Sequence, residues 1–181
     1  MAEVYVSIGS NIEPELHVTA ALDALQDHFG ELQISSVFES ESVGFEGDCF
    51  LNLVAGFSTC LAVGELSLLL KQIESENGRV KNAPKFCSRT LDIDILTYDD
   101  RVGDVDGVCL PRSEILENAF VLWPLALLAP DVLLPGTELS YAQHWSQWQG
   151  TQQLWAVPFV WHDRALTPPD LLSSSQVHAA L

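Results

Sequence analysis

Hydrophobic and polar residues follow two different periods in the first half of the chain. Apolar residues alternate with polar ones, or form short apolar runs, in segments predicted to be strands at residues 4–8, 32–38, 50–57 and 90–98. Apolar residues recur every three or four positions in helices predicted from residue 14 to Gly30 and over residues 64–77. This order predicts an α+β fold, a ferredoxin-like (βαββαβ) antiparallel sheet with its helices on one face.

The second half of the chain has a weaker pattern. A further apolar helix is predicted over residues 120–129, with Pro124 tolerated only near its first turn. We expect residues 1–135 to form the main domain and residues 136–181 to form a C-terminal extension packed on it. The tryptophans of this extension are predicted to serve in packing: Trp145, Trp148, Trp155 and Trp161. Residues 167–181 contain Pro-Pro and Ser-Ser-Ser, which predicts a mobile tail.

The clearest alternation lies in the fourth predicted strand. Leu91, Ile93 and Ile95 take one face of the strand, and Asp92 and Asp94 take the other. Side chains two residues apart on a strand lie on the same side, with Cα atoms about 6.5–7 Å apart. Two carboxylates at that spacing can bracket a divalent cation that phosphate oxygens also hold, and Mg²⁺ favours such sites. The same pattern is typical of a solvated strand face, so alternation alone leaves both interpretations open.

The distribution of cationic residues favours the metal site. The chain has eight Lys and Arg residues, and none occurs in the first 70 positions. The stretch that precedes Asp92 contains most of them: Lys71, Arg79, Lys81, Lys85 and Arg89. Cations gathered beside two carboxylates predict a site for a polyanion and its metal. On the second helix, Lys71 and Glu74 are predicted to project together from the polar side.

The sheet face that carries the two aspartates is predicted to bind the ligand. Phe50 and Asn52 share the corresponding face of the third predicted strand. Phe50 offers an aromatic plane, and the amide of Asn52 can both donate and accept hydrogen bonds. Because both helices would pack on the other face, we expect this face to be accessible.

Composition narrows the class of protein. With 181 residues, 48% of them apolar, the chain can bury the core of one globular domain. Its net charge of −17 disfavours nucleic acids and anionic membranes as partners. The N-terminus has no signal-peptide pattern, and the four cysteines have no metal-ligand spacing and are predicted to be reduced thiols. We therefore expect a cytoplasmic monomer.

Several familiar chemistries are disfavoured. The sequence has neither a G-x-x-x-x-G-K-[ST] phosphate loop nor a G-x-G-x-x-G turn after the first predicted strand. The five histidines form no cluster with metal-ligand spacing. Cys87 adjoins the predicted site but has no nearby histidine in sequence, which disfavours a thiol nucleophile.

The motifs that remain resemble those of 6-hydroxymethyl-7,8-dihydropterin pyrophosphokinases, enzymes of folate synthesis. The resemblance covers residues 3–135 and includes I-G-S-N, F-L-N and I-E-x-x-x-G-R in the family's order. The most specific elements are S-R-T-L-D-I-D-I-L and A-F-V-L-W-P-L-A-L-L-A-P-D. The family's fold is ferredoxin-like, in agreement with the order of the predicted elements.

The resemblance implies transfer of the terminal diphosphate of ATP to the pterin's hydroxymethyl oxygen, with release of AMP. It implies two Mg²⁺ ions held by Asp92 and Asp94, with ATP as co-substrate. The implied catalytic residues are Asp92, Asp94, Arg79, Lys81 and Arg89. The implied nucleotide-binding residues are Lys71, Glu74, Lys85, Phe86, Arg89, Ile95, Arg112 and Ser113. The implied pterin-binding residues are Ser40, Val43, Phe50, Asn52, Asp92 and Phe120, with the two aromatic rings sandwiching the pterin.

The chain departs from the family's pattern near its predicted nucleotide site. A nucleotide-contacting His is replaced by Arg112, and a phosphate-facing Arg is replaced by Asn118. We expect Arg112 to take over part of the phosphate binding, or else to point to solvent among acidic neighbours such as Glu114. Two functions stay open: an active diphosphokinase, and a non-catalytic pterin- or nucleotide-binding paralogue on the same scaffold.

Overall fold

Antiparallel strands form the centre of the structure, a computed structural model that describes residues 1–42, 47–78, 88–173 and 177–178. The strands in these ranges are β1 Ala2–Ser10, β2 Gln33–Ile34, β3 Val37–Ser40, β4 Phe50–Thr59, β5 Asp92–Tyr98, β6 Gly103–Val105, β7 Val108–Leu110, β8 Gln153–Val157, β9 Val160–Trp161, β10 Arg164–Ala165 and β11 Val177–His178. The helices are α1 Pro14–Phe29, α2 Val63–Glu76, α3 Glu114–Glu117, α4 Ala119–Leu128, α5 Tyr141–Ser146 and α6 Pro169–Ser173. Within the described residues, no helix is long and apolar enough to cross a bilayer.

The main sheet has the strand order β11-β8-β3-β4-β1-β5, with β2 paired to β4. All of these pairings are antiparallel. β1 lies between β4 and β5, and residues 4–9 have a strand partner on both sides. Gly9 is opposite Asn52 and Asp92, and Ser7 is opposite Val54 and Asp94. The register therefore fixes which polar residues share a face.

The first face of the sheet packs against α1 and α2, as the periodicity predicts. Val18, Leu22 and Leu25 of α1 are buried against the apolar face of β1, β4 and β5. Phe29 is half-buried and stacks on Phe57, with ring centroids 4.1 Å apart. The helix ends where Gly30 adopts φ 78°, a conformation that other residues rarely adopt.

The second predicted strand is wrong in one respect, because residues 32–38 form two short strands rather than one. The interruption lies at Ser35, whose backbone N–H donates to the Val54 carbonyl at 2.9 Å. The Val54 N–H in turn donates to the Ser35 hydroxyl, also at 2.9 Å. A serine side chain thus replaces a backbone acceptor, a local competition that apolar patterning does not reveal.

The prediction that helices cover only one face is also wrong. α4 and α5 pack on the second face, where Val54 and Leu96 of the sheet meet Leu122 and Leu125 of α4. Pro124 lies inside α4 rather than in its first turn. Its missing N–H leaves the i−4 carbonyl without a helical partner, and the burial of residues 121–126 stabilises the helix in spite of that loss. The part of the second face that these helices leave uncovered includes Asp92 and Asp94 at the start of β5.

The segment beyond residue 135 contributes to the same sheet and cores. β8 pairs with β3, and Trp161 is buried in the core under α1. Trp145 stacks between Trp123 and Trp148, with centroids 5.5 and 6.3 Å away. These contacts confirm a packing role for the tryptophans of the extension that are named here.

The predicted tail is ordered at its beginning. Thr167 is buried, and its hydroxyl accepts a hydrogen bond from the Val37 N–H at 3.1 Å. α6 follows directly. The prediction of mobility from residue 167 onward is therefore wrong for residues 167–173, while residues 174–176 and 179–181 lie outside the described residues.

Asp23 of α1 anchors the β9–β10 hairpin. Trp161 Nε1 donates to Asp23 Oδ1 at 2.8 Å, and His162 Nε2 lies 2.7 Å from the same oxygen. Partial burial alone would raise the pKa of Asp23, but the hydrogen bonds from His162 and Trp161 outweigh it and lower the pKa. Ionised Asp23 therefore stabilises the folded state.

We predict that Asp23→Asn lowers the free energy of unfolding by about 0.5–1 kcal/mol at neutral pH, since the carboxylate is largely solvent-screened. Because the folded pKa is depressed, the difference should be complete above an unfolded pKa of about 3.9 and vanish as the pH falls through the folded pKa. Urea unfolding from pH 7 to pH 3 measures it. Asp27→Asn, on an exposed position of the same helix, is the control. A difference that persists unchanged at pH 3 would contradict the ionic contribution.

Candidate active site

Asp92 and Asp94 lie side by side on the uncovered part of the second face. Their side chains are 26% and 33% exposed, whereas Ile93 and Ile95 are buried in the first core. β5 begins at Asp92, two residues later than predicted, but the alternation is as the sequence predicts. The strand therefore presents two partly solvated carboxylates on the face that α1 and α2 leave free.

Each of these carboxylates has a guanidinium beside it. Arg89 Nη1 lies 2.7 Å from Asp92 Oδ1, and Arg112 Nη2 lies 3.3 Å from Asp94 Oδ1. Arg112 also holds Glu114, with Nε 2.7 Å from Oε2. Arg112 thus lies beside Glu114, as the solvent-facing alternative expects, and its guanidinium also reaches Asp94 and bridges the two carboxylates. The backbone N–H of Arg112 donates to the Leu96 carbonyl at 2.8 Å, which ties it to β5.

Asn11 connects the end of β1 to the start of β5, a role that the sequence analysis missed. Its Oδ1 accepts from the Arg89 N–H at 2.7 Å, and its own N–H donates to the Arg89 carbonyl at 3.0 Å. Its Nδ2 donates to the Asp48 carbonyl and the Ser88 hydroxyl, at 3.1 and 3.2 Å. Asn11 is buried, so these contacts are protected from water. The I-G-S-N motif, which contains Asn11, was the available signal, but it entered only as part of the family resemblance.

The prediction that Glu74 lies on the polar side of α2 is wrong. Its side chain is buried, with 3% exposure. Its Oε1 accepts from the Ile93 N–H at 2.7 Å, on the side of β5 that has no described strand neighbour. Lys71 is exposed and does not share this environment. The helix therefore uses a carboxylate to satisfy an edge-strand N–H beside the aspartate pair.

Asn52 and Phe50 border a gap created by Gly9. A Cβ atom on Gly9 would lie 3.6 Å from Asn52 Oδ1 and 3.9 Å from Phe50 Cδ1. Asn52 Nδ2 donates to the Ser40 hydroxyl at 2.9 Å and to the Phe50 carbonyl at 3.2 Å. Both amide hydrogens thus have acceptors, and the amide oxygen faces the gap. Gly9 separates Asn52 from Asp92 in a row across three strands.

Acidic groups surround Cys49, the residue before Phe50. Burial, together with Glu39, Glu41 and Asp48, raises the pKa of the Cys49 thiol. A thiol in this environment stays protonated and is a poor nucleophile. The local negative charge disfavours an anion here, whereas the guanidinium groups attract one to the β5 side.

The remaining predicted residues occupy different environments. Phe120 is half-buried in the first turn of α4, Ser113 is exposed before α3, and Ile95 points into the core, so only its backbone is available to a ligand. The predicted residues Val43, Arg79, Lys81, Lys85 and Phe86 lie outside the described residues.

The donor set fits a divalent metal shared with a polyanion. Across the described ranges, no group of three or more His, Cys, Asp or Glu residues could hold a metal by itself. Two carboxylates on one strand face supply hard oxygen ligands, and a substrate's phosphates would supply others. Arg89 and Arg112 offer planar donors to the same phosphates. The arrangement has the oxygen ligands and planar donors that metal-assisted phosphate binding requires.

Comparison with known proteins identifies the family. A family model described as 7,8-dihydro-6-hydroxymethylpterin-pyrophosphokinase matches residues 5–130, and the chain belongs to this family. It is 39% identical over 136 residues to the 2-amino-4-hydroxy-6-hydroxymethyldihydropteridine pyrophosphokinase of Pseudomonas aeruginosa, covering 73% of this chain and 83% of the relative. It is 36% identical over 137 residues to the enzyme of the same name from Aquifex aeolicus, covering 75% and 85%.

Solved structures show the same fold. The crystal structure of Plasmodium falciparum HPPK-DHPS matches with a TM-score of 0.61 at 13% identity, covering 82% of this chain. The matched part is 44% of that solved chain, so this chain spans less than half its length. At that identity the likeness concerns the fold alone.

We predict that Glu74→Leu lowers the free energy of unfolding by about 1–3 kcal/mol, because it leaves the Ile93 N–H without this acceptor. Glu74→Gln keeps a side-chain oxygen at the same position and should cost less. Urea unfolding measures both. Glu76→Leu, at an exposed position on the same helix, is the control. Equal losses for Glu74→Leu and Glu76→Leu would show that the edge contact does not hold β5.

Proposed function

We propose that this protein transfers the terminal diphosphate of ATP to the hydroxymethyl oxygen of 6-hydroxymethyl-7,8-dihydropterin and releases AMP, a step of folate biosynthesis. The observation that carries the proposal is the pair of carboxylates on β5, each with an arginine beside it, in a member of the pyrophosphokinase family. The pterin oxygen would attack the β-phosphorus, and the bond from the β-phosphorus to the oxygen bridging it to the α-phosphate would break.

Asp92 and Asp94 are the proposed ligands of two Mg²⁺ ions. When bound, such ions neutralise phosphate charge and align the attacking and leaving oxygens. The support from this chain is the partial exposure of both carboxylates on one face of a strand. Asn11 and Glu74 hold the backbone on either side of Asp92, which keeps the two carboxylates in a fixed relation.

Arg89 and Arg112 are the proposed phosphate-binding residues among those described. Each guanidinium contacts an aspartate, and we propose that each turns to phosphate oxygens when ATP and metal arrive. Glu114 would keep Arg112 at the site during this exchange. Arg79, Lys81 and Lys85 are proposed to bind the phosphates as well, on the basis of the resemblance.

Phe50, Phe120 and Asn52 are the proposed pterin-binding residues, with Ser40 behind them. Because the Asn52 amide hydrogens already have acceptors, its oxygen is the atom available to accept from an amino or ring N–H group of the pterin. The space left by Gly9 would admit the edge of the ring. The two aromatic rings would cover the pterin's faces.

The proposal includes a ferredoxin-like core. The order β3-β4-β1-β5, with α1 following β1 and α2 following β4, supports that topology. We propose residues 1–135 as the transferase domain and residues 136–181 as an extension packed on it. Cytoplasmic localisation is part of the proposal, supported by the free thiols of Cys49, Cys60 and Cys109. The monomeric state stays a prediction, which the mass in solution would test.

The decisive test is incubation of the protein with ATP, Mg²⁺ and the hydroxymethyl dihydropterin, followed by separation of the nucleotides. We predict AMP as the nucleotide product, formed only with a divalent cation. Asp92→Asn and Asp94→Asn should each abolish turnover while keeping the fold, since both side chains face away from the core. ADP as the main product would overturn the proposal. Binding of pterin without any product would favour the non-catalytic paralogue.

A further prediction concerns Arg112. Arg112→Ala should weaken the use of ATP, since a charge-assisted contact contributes about 1.5–3 kcal/mol. The same change should strengthen the binding of Mn²⁺ alone, because Asp94 loses a competing cation. The measurements are kcat/KM for ATP and the Kd of Mn²⁺ without nucleotide.

Arg101→Ala is the matched control, because Arg101 is exposed and lies over the Tyr98 ring, 5.9 Å from its centroid. It should change neither quantity. Unchanged ATP kinetics in Arg112→Ala would exclude a phosphate role for Arg112, and unchanged Mn²⁺ affinity would exclude the competition at Asp94.

A further inference from the structure

Gln152, between α5 and β8, contacts the start of α4 through both ends of its side-chain amide. Its Oε1 accepts from the Ala119 N–H at 2.8 Å, and its Nε2 donates to Asn118 Oδ1 at 2.9 Å. These residues are 33 and 34 positions away in sequence. A single side chain from the extension thus holds two adjacent residues of the helix start.

This contact replaces ordinary helix capping. Asn118 is the N-cap residue of α4, but its side chain makes no capping hydrogen bond to the helix. The first N–H groups of a helix have no partner within the helix. Gln152 supplies an acceptor for the first of them and occupies the Asn118 oxygen that would otherwise be available for capping.

Phe120, one of the proposed pterin-binding residues, directly follows Asn118 and Ala119 in the chain. Ala119 is 1% exposed, so the backbone just before Phe120 is buried as well as hydrogen-bonded. Phe120 packs in one cluster with Trp145 and Trp148, which also belong to the extension. The backbone before Phe120 is therefore held at the helix start, and its side chain packs against the same buried residues as the two tryptophans.

Gln152 is itself held by the sheet. β8 begins at the next residue and pairs with β3, where Leu154 is opposite Ser40. Ser40 contacts Asn52 through its hydroxyl. The same short segment thus reaches both the Phe120 side and the Asn52 side of the proposed pterin pocket.

We propose that Gln152 is a positioning residue that sets the orientation of Phe120 and thereby the affinity for the pterin; this inference rests on the proposed function. Loss of its amide lets the first turn of α4 shift, and Phe120 shifts with it. The Asn118 N–H donates to the Glu114 carbonyl at 3.0 Å, but Arg89 and Arg112 are also held to Asn11 and Leu96 by backbone hydrogen bonds, so we expect little change in the nucleotide affinity. A residue that serves only in stability would lower the melting temperature without separating the two affinities.

The test compares Gln152→Leu, which removes both hydrogen bonds at similar size, with Gln152→Glu and Gln149→Leu. In Gln152→Glu one carboxylate oxygen still accepts from the Ala119 N–H, and the Asn118 amide can turn over and donate to the other. Gln149 is exposed and serves as the control. Two dissociation constants are measured for each protein: that of a non-hydrolysable ATP analogue with Mg²⁺, and that of the hydroxymethyl dihydropterin at saturating analogue.

Gln152→Leu should weaken pterin binding about tenfold, equivalent to about 1.4 kcal/mol, and leave the Kd of the analogue unchanged. Gln152→Glu should restore most of the pterin affinity, and Gln149→Leu should match the wild type. Asn118→Ala, which keeps the Ala119 contact, should cause a smaller loss. The double variant Gln152→Leu with Asn118→Ala should be no weaker than Gln152→Leu alone, because the two residues act as a pair.

Several results would overturn the inference. One is an unchanged pterin Kd in Gln152→Leu. Another is that Gln152→Leu weakens the binding of the pterin and of the nucleotide analogue equally. If Gln152→Leu does not fold, an unchanged pterin Kd in Asn118→Ala would overturn it instead. Failure of the proposed function is distinguishable, because the wild-type protein would then bind no pterin and form no AMP.

Discussion

The pairing of β5 with β1 is the constraint on which both the core and the site depend. With Ile93 opposite Ile8 and Asp94 opposite Ser7, the apolar residues of β5 face α1 and α2 and the aspartates face outward. A slip of one residue would bury both carboxylates and expose the isoleucines, because strand side chains alternate. The cost of burying two unpaired carboxylates excludes that arrangement.

Two long-range contacts hold this register where the strand is vulnerable. Glu74 accepts from the Ile93 N–H on the outer side of β5, and Asn11 bonds both backbone groups of Arg89 just before the strand begins. A β-bulge between Tyr5 and Val6 makes Leu96 the extra residue of β5. Leu96 stays on the aspartate face, toward α4, and Tyr98 beyond it returns to the first core. β5 thus contributes to a core on each face, while its first residues stay available for chemistry.

Local periodicity was sufficient to predict the long helices and strands that have one apolar face. The bounds of α1, the order of the long elements and the alternation from Leu91 to Ile95 could all be predicted. The burial of Glu74 also had a signal, since Leu66, Leu70 and Ile73 place it on the same helical stripe, but its charge favoured a solvated interpretation. The break between β2 and β3 at Ser35 had no such signal in the sequence, because it depends on a hydrogen bond from the distant Val54 N–H to the Ser35 hydroxyl.

The covering of the second face required information that periodicity does not carry. α4 is apolar on nearly all sides, which indicates a helix buried on both sides, and β8 needs β3 as a partner before it can be recognised as a strand. Asn11 and Glu74 hold β5 through contacts with Arg89 and Ile93 that only the fold creates. Sequence reasoning could therefore name the aspartate pair but not the residues that orient it.

The charges at the site explain why a metal and a polyanion would have to bind together. Among the described residues, Arg89 and Arg112 face three carboxylates, those of Asp92, Asp94 and Glu114, so this cluster has a net negative charge. A triphosphate alone would be repelled by the aspartates, and a metal alone would compete with the arginines for them. In the proposed exchange, Asp92 and Asp94 would hold the metal and the arginines would turn to the phosphates, so every charge would gain a partner of opposite sign. In a chain with a net charge of −17, such an exchange would let a strongly acidic protein bind a polyanion.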